Sequence, residues 1–270
     1  MKKCKFSNTV SETLLITLYM RAKESQRSDK AILHDKWAEK LVNQIDYDFS
    51  SLDRAKLSEI GCIVRSWFFD RTVRRFISGH SRPIVVNVGC GLDTRAQRIG
   101  CCDKAVFYEL DLPEVMECRL ELIPETECDR YLEGSLLDSS WMDELLGRHP
   151  QGEFIFVVEG VFMYFYEDQI KQFLQQLAQR FHGAELWFDV SGSAMVKPDS
   201  LRRHKAEIRS GIDNGHQLET WIPELKLIEQ SSYMKFFRSR WGFFCGQVLG
   251  RLPMLSRRYC SLLGYQILGE

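Results

Sequence analysis

The chain has 270 residues, 44% of them apolar, 27% charged and 12% aromatic, which is enough for one large core and too apolar for extended disorder. Its 36 Lys and Arg balance 37 Asp and Glu to a net charge of −1, so there is no global basic field of the kind that drives non-specific binding to nucleic acid or anionic lipid. No run approaches the ~20 apolar residues of a membrane-spanning helix, and Met1-Lys2-Lys3 leads into Cys4-Lys5-Phe6-Ser7 rather than an apolar signal core. A soluble, cytoplasmic protein with no nucleic-acid or membrane partner is expected.

The first 80 residues read as a helical layer. Amphipathic segments lie near 11–26 and 31–45, and a longer one carries Leu57, Ile60, Ile63, Val64, Trp67, Phe68, Val73, Phe76 and Ile77 at helical spacing. At Pro83 the texture changes. Ile84-Val85-Val86-Asn87-Val88 is the β-branched run of a strand buried on both faces. Similar runs return at 105–111, 130–133, 154–159 and 185–190, each separated by a plausible helix, the clearest over 167–181. Such alternation predicts a mostly parallel, doubly wound α/β sheet. After Val190 the pattern loosens through Arg202-Arg203-His204-Lys205 and Gly211–His216, before strand-like 225–229 and 264–268. The expected division is a cap over 1–80 and a ligand-binding sheet domain over 81–270, with a segment at about 191–224 covering the substrate. The nine cysteines are an odd number, dispersed and without zinc spacing; reduced thiols and no metal are expected.

The most informative stretch is Val86-Asn87-Val88-Gly89-Cys90-Gly91-Leu92-Asp93-Thr94. A buried strand that ends in Gly-x-Gly and opens a helix lets the chain turn sharply and lets a ligand approach without a Cβ in the way. The next strand ends in Glu109-Leu110-Asp111, about 20 residues further on, where an acid can bind ribose hydroxyls. A dinucleotide site would want a third glycine where Thr94 stands, and Asp93 at the helix start would repel a diphosphate. A ligand with an adenosyl ribose and an ammonium but no phosphate tolerates both, and S-adenosylmethionine (SAM) has that character.

These motifs, with Tyr108-Glu109-Leu110-Asp111-Leu112-Pro113, Glu159-Gly160-Val161-Phe162-Met163-Tyr164, Arg65-Ser66-Trp67-Phe68-Phe69-Asp70 and, near the N-terminus, Tyr19–Ser25 with His34-Asp35, resemble the leucine carboxyl methyltransferase / tetracenomycin polyketide O-methyltransferase family. The resemblance runs in consistent order from about residue 10 to 190. It implies a Rossmann-like class I methyltransferase sheet, mostly parallel with an antiparallel last strand, carrying extra N-terminal helices and binding SAM.

By the same resemblance Arg65 holds the SAM carboxylate, a task suited to a guanidinium fork. A second cation is expected from Arg21, Lys23, Arg27 or Lys30, with Arg27 and Lys23 preferred. Gly89, Cys90 and Gly91 line the methionyl part, Cys90 being placed by the turn rather than chosen for thiol chemistry. Asp111 matches the ribose-binding acid, and Glu109, two residues earlier on the same strand face, competes with it. Ser135 stands where the family often has an Asp for the adenine amino group, so its hydroxyl and the Leu136 backbone are the candidates there. Glu159 matches a glutamate at the cofactor's amino end, and Tyr164 a phenol bordering the reaction centre.

The function these features imply is SAM-dependent O-methylation of a carboxylate or hydroxyl on a small molecule. Carboxyl methylation of a protein or peptide C-terminus is the second reading, and a SAM- or nucleotide-binding module without turnover the third. A carboxylate acceptor needs no general base; a phenol would, and His34, His204 and His216 are the candidates.

Overall fold

The computed structural model describes residues 9–52, 56–196 and 207–269. Three helices come first: α1 (Thr9–Ser25), α2 (Lys36–Val42) and α3 (Lys56–Gly79). Strands and helices then alternate as β1 (Pro83–Val88), α4 (Arg95–Ile99), β2 (Val106–Asp111), α5 (Pro113–Leu122), β3 (Asp129–Glu133), α6 (Ser140–Arg148), β4 (Glu153–Val158), α7 (Glu167–Arg180) and β5 (Glu185–Ser191). The last part holds α8 (His216–Trp221), β6 (Leu225–Ser231), α9 (Pro253–Ser256) and β7 (Cys260–Ile267).

The seven strands form one sheet of order β3-β2-β1-β4-β5-β7-β6. The first five are parallel, and β7 runs antiparallel to both β5 and β6. This is the expected sheet with its antiparallel last strand. Strand order reverses between β1 and β4, and in open α/β sheets ligands bind at such a switch point, outside the carboxyl ends of the strands.

All six residues of β1 are buried, as its unbroken apolar run predicts. Ile84, Val86 and Val88 pack on the face covered by α6 and α7, where Ile170, Phe173, Leu174, Leu177 and Ala178 form the stripe read from the sequence. Val85 faces α3 with Phe107, Ile155, Val157 and Trp187. Helix α3 itself is buried nearly all round: Phe68, Phe69, Val73 and Phe76 meet the sheet while Ile63 meets Met20 of α1. Being sandwiched, it also buries Arg65, Ser66, Asp70 and Thr72, polar side chains that need partners inside the molecule.

Helix α2 is shorter than the 31–45 segment because Asp35 caps it, its Oδ1 accepting from Ala38 N at 2.8 Å. The expectation of reduced thiols fails: Cys118 is disulfide-bonded, and among the described residues Cys102 and Cys128 form a disulfide, joining the turn before β2 to the chain entering β3. These residues are 26 apart in sequence and become neighbours only because β2 and β3 pair, so spacing alone does not reveal them. Among the described residues no group of His, Cys, Asp and Glu could hold a metal ion, and no helix is long and apolar enough to cross a membrane.

Candidate cofactor and acceptor site

At the carboxyl ends of β1, β2 and β4 the structure opens into a cavity of about 930 Å³, within the range of small-molecule sites. Arg65, Gly89, Cys90, Gly91, Asp111, Ser135, Leu136, Glu159 and Tyr164 all line it. Glu109, the competing acid, does not.

The glycine turn is built for close approach. Gly89 and Gly91 have φ of +71° and +52°, left-handed conformations that L side chains disfavour. A Cβ on Gly89 would lie 2.4 Å from Val161 Cγ2, and one on Gly91 would lie 3.1 Å from Leu14 Cβ. Two amides, Gly89 N and Cys90 N, donate to the Leu110 carbonyl at 2.7 and 3.0 Å, and Gly91 N donates to Asp111 Oδ2 at 2.8 Å. Asp111 thus fastens the turn to the end of β2 while its carboxylate faces the cavity; burial raises its pKa, against the pull of the Gly91 and Leu112 N–H groups.

Glu109 lies one pleat deeper and is fully buried. Its Oε1 accepts from Asn87 Nδ2 at 2.8 Å, and Arg119 Nη2 stands 3.6 Å from its other oxygen. Burial pushes it up to about 7 despite Arg119. Sharing a strand face with Asp111 does not bring it to the cavity, because the crevice begins only where the strand ends. Arg119 in turn donates to the carbonyls of Gly91 and Asp93 at 3.1 and 2.6 Å, bracing the turn from behind. Cys90 is buried and its thiol is pushed well up by burial, which suits a wall residue and not a nucleophile.

Beneath the turn runs a network of four guanidiniums and five carboxylates. Arg65 donates to Glu159 at 3.1 Å and to Asp189 at 3.2 Å. Glu159 also accepts from Ser66 Oγ at 2.8 Å and from Arg95. Arg95 continues to Asp70 at 3.1 Å and Asp93 at 3.1 Å, and Arg98 joins Asp70, Asp93 and Asp35 at 2.8, 2.6 and 3.1 Å. Arg21 closes the chain on Asp35 at 2.9 Å and donates to the Leu92 carbonyl at 2.8 Å. Burial works against the charges of Asp93 and Asp35, yet the facing arginines hold both below their ordinary values. Asp93, which the sequence reading placed against a diphosphate, is a neutralised anchor within this network.

Of the four cations considered for the second carboxylate contact, Arg21 alone lines the cavity. The preferred pair do not reach it: Lys23 binds Glu59 at 3.0 Å, and Arg27 binds Asp29 at 3.2 Å on the surface. The signal was present, since position 21 falls in phase with Leu14, Thr17 and Leu18, a charge on an otherwise inward stripe.

Ser135 Oγ accepts from Leu137 N at 3.2 Å and leaves its proton free to donate. The Tyr164 phenol is hydrogen-bonded to Thr13 and raised by burial, so it stays protonated. Neither His34 nor His216 lines the cavity; His34 is exposed and His216 pairs with Glu219 at 2.6 Å on α8. His204, with Arg202, Arg203 and Lys205, lies outside the described residues. Sequence reasoning did not identify the remaining wall, which is largely apolar and includes Met163, Met195, Met234, Trp241, Leu249 and Tyr259. Five of these six come from the C-terminal third, where no motif marks them.

A sheet of this order, with its glycine turn and acid-tipped second strand at the switch point, is the architecture of the class I SAM-dependent methyltransferases. A structure of a putative methyltransferase from Thermobifida fusca shares the fold, with a TM-score of 0.57 at 12% identity over 93% of this chain and 94% of that one. The family model for leucine carboxyl methyltransferase matches residues 14–178. Over 234 residues the chain is 31% identical to the tetracenomycin polyketide synthesis O-methyltransferase TcmP of Streptomyces glaucescens, covering 83% of each. It is 26% identical over 243 residues to the SAM-dependent methyltransferase dpfgK of Gibberella zeae, covering 81% of this chain and 80% of that one. The protein belongs to the leucine carboxyl methyltransferase family and is a SAM-dependent methyltransferase.

Proposed function

We propose that the protein methylates an oxygen of a small molecule, and that this oxygen belongs to a carboxylate. The observation that carries the choice is the state of the proton acceptors on the cavity wall. Glu159 already accepts from Arg65, Ser66 and Arg95, and Asp111 accepts two backbone N–H groups. The phenols of Tyr164 and Tyr233 are hydrogen-bonded, to Thr13 and Asp189, and both are raised by burial. An acceptor that arrives ionised suits such a wall, and a carboxylate is ionised at neutral pH. The name of TcmP, an O-methyltransferase of polyketide synthesis, supports a small-molecule acceptor.

The residues present fit the cofactor, because the left-handed glycines keep the turn free of side chains where a ligand would lie against it. SAM supplies an electrophilic methyl on a sulfonium, open to in-line displacement by the acceptor oxygen. Arg65 and Arg21 are the proposed clamps for its carboxylate, Glu159 the partner of its ammonium, Asp111 the ribose acid, and Ser135 with the Leu136 backbone the adenine contacts. Tyr164, protonated, can donate a hydrogen bond to the acceptor oxygen and orient it. The helical layer α1–α3 and the described parts of the 191–224 segment, 191–196 and 207–224, are the proposed covers that exclude water while the reactants are held in line, residues 197–206 lying outside the described residues.

The test is methyl transfer from radiolabelled SAM to panels of carboxylic acids, phenols and peptides, followed by alkaline treatment of the products. An ester releases its label as methanol and an ether does not. Alkali-stable label on phenols alone rejects the carboxylate assignment.

A further inference from the structure

Between β6 and β7 the chain makes an excursion of 28 residues, 232–259, whose composition departs from the rest. It holds six basic residues, Lys235, Arg238, Arg240, Arg251, Arg257 and Arg258, and no acidic one, in a chain whose net charge is −1. It also supplies six of the large apolar side chains exposed among the described residues: Phe243, Phe244, Leu252, Met254, Leu255 and Tyr259. Phe243 is 80% exposed and Met254 85%.

The segment is not loose. It folds as successive short turns, burying Trp241 and Leu249, and a Cβ on Gly246 would lie 1.9 Å from the Arg238 carbonyl oxygen, so the turns press directly on each other. The apolar tips are therefore held outward by a packed scaffold. Arg240 is taken by Glu24 at 2.8 Å, and Arg257 donates to the Gln230 carbonyl at 3.3 Å. Lys235, Arg238, Arg251 and Arg258 are exposed and, among the described residues, have no ion-pair partner.

We propose that residues 232–259 seat the protein on the surface of an anionic lipid bilayer. Phe243 and Met254 enter the boundary between headgroups and acyl chains, and the four exposed cations meet lipid phosphates. Projecting apolar tips on a segment whose charged side chains are all basic match the layering of that boundary. Charge of one sign, with no acid to set a register, suits a fluid and uniformly negative surface; a protein partner, whose charges are fixed in place, is read by complementary charges of both signs. Phe244, Leu249 and Tyr259 of the same excursion also line the cavity, so its apolar wall continues into the seated surface. The proposal does not depend on which oxygen is methylated.

Flotation with vesicles decides it. Protein is mixed with phosphatidylcholine vesicles or with vesicles in which about a third of the lipid is phosphatidylglycerol, each cation near such a surface contributing about fivefold in partitioning. The expected result is flotation with the anionic vesicles alone, suppressed by high salt, and reduced about tenfold by Phe243→Ser combined with Met254→Ser, which remove the inserted side chains. Neither residue lines the cavity, so SAM affinity by calorimetry and the thermal midpoint stay as in the wild type, which keeps the cofactor assignment separately decided. Absence of flotation, flotation indifferent to the double variant, or a dimer in solution that the double variant dissociates would each overturn the proposal.

Discussion

The Arg65 guanidinium occupies the space that a side chain at position 160 would need: a Cβ on Gly160 would lie 2.7 Å from Arg65 Nη2. Gly160 also has φ +74° and donates its N–H to Asp189 Oδ1 at 2.6 Å, so backbone and side chain are fitted to each other across the cavity wall. Gly160→Ala is expected to cost about 1–3 kcal/mol of stability from the left-handed backbone alone. It should also weaken SAM binding by displacing Arg65. Thermal unfolding and calorimetry with SAM check both; a variant with reduced stability and unchanged affinity removes Arg65 from the cofactor site.

Arg65→Ala leaves Asp189 and Glu159 without one of their cations in a buried setting. The loss of stability should reach about 3–5 kcal/mol, the usual cost of breaking a buried pair from one side. Arg65→Lys keeps the charge but not the fork, so it should recover much of the stability and little of the SAM affinity. Denaturant midpoints and binding isotherms for the two variants separate these effects.

Gly89→Ala meets Val161 Cγ2 at 2.4 Å and must hold a left-handed φ. SAM affinity should fall at least about tenfold if the turn shifts by even a fraction of an ångström, since the cost of the backbone alone exceeds about 1 kcal/mol. Pairing it with Val161→Ala relieves the clash but not the backbone, so recovery should be partial. Full recovery in the double variant would show that sterics, and not the turn conformation, governs binding.

Stability should depend on pH in two opposite ways. Glu109 is raised from its ordinary 4.5 to about 7, so between these values the folded protein holds a proton that the unfolded chain has lost, and stability falls as pH rises through that window. Asp111 and Asp129, also raised by burial, act in the same sense. Asp35 and Asp93 are lowered, so their contribution is complete above 3.8 and disappears as the pH drops below it. Urea midpoints between pH 4 and pH 8 should decline toward the alkaline side, and Glu109→Gln should flatten that decline. An unchanged slope in Glu109→Gln would assign the titration elsewhere.

Much of the fold was legible because its signals are local. The β-branched runs, the α7 stripe and the strand–glycine–acid spacing each fall within a few turns of chain, and each reports its own burial. The partners of the buried charges were not legible, because they pair residues such as Arg65 and Asp189, 124 positions apart. Glu109 shows a subtler limit: alternation gives the face of a strand and not the depth at which a crevice opens. The apolar lobe from 232–259 carries no periodicity to read, since its turns are short and of mixed type.

The network under the turn joins Arg21, Arg65, Arg95 and Arg98 to Asp35, Asp70, Asp93, Glu159 and Asp189, one negative charge more than positive. Methyl transfer turns a sulfonium into a neutral thioether, so on the proposed reading the site's attraction for its ligand weakens at the moment the reaction is complete. The imbalance acts as an electrostatic ratchet that favours fresh donor over spent product, and a lower dissociation constant for SAM than for S-adenosylhomocysteine at low salt would be its signature.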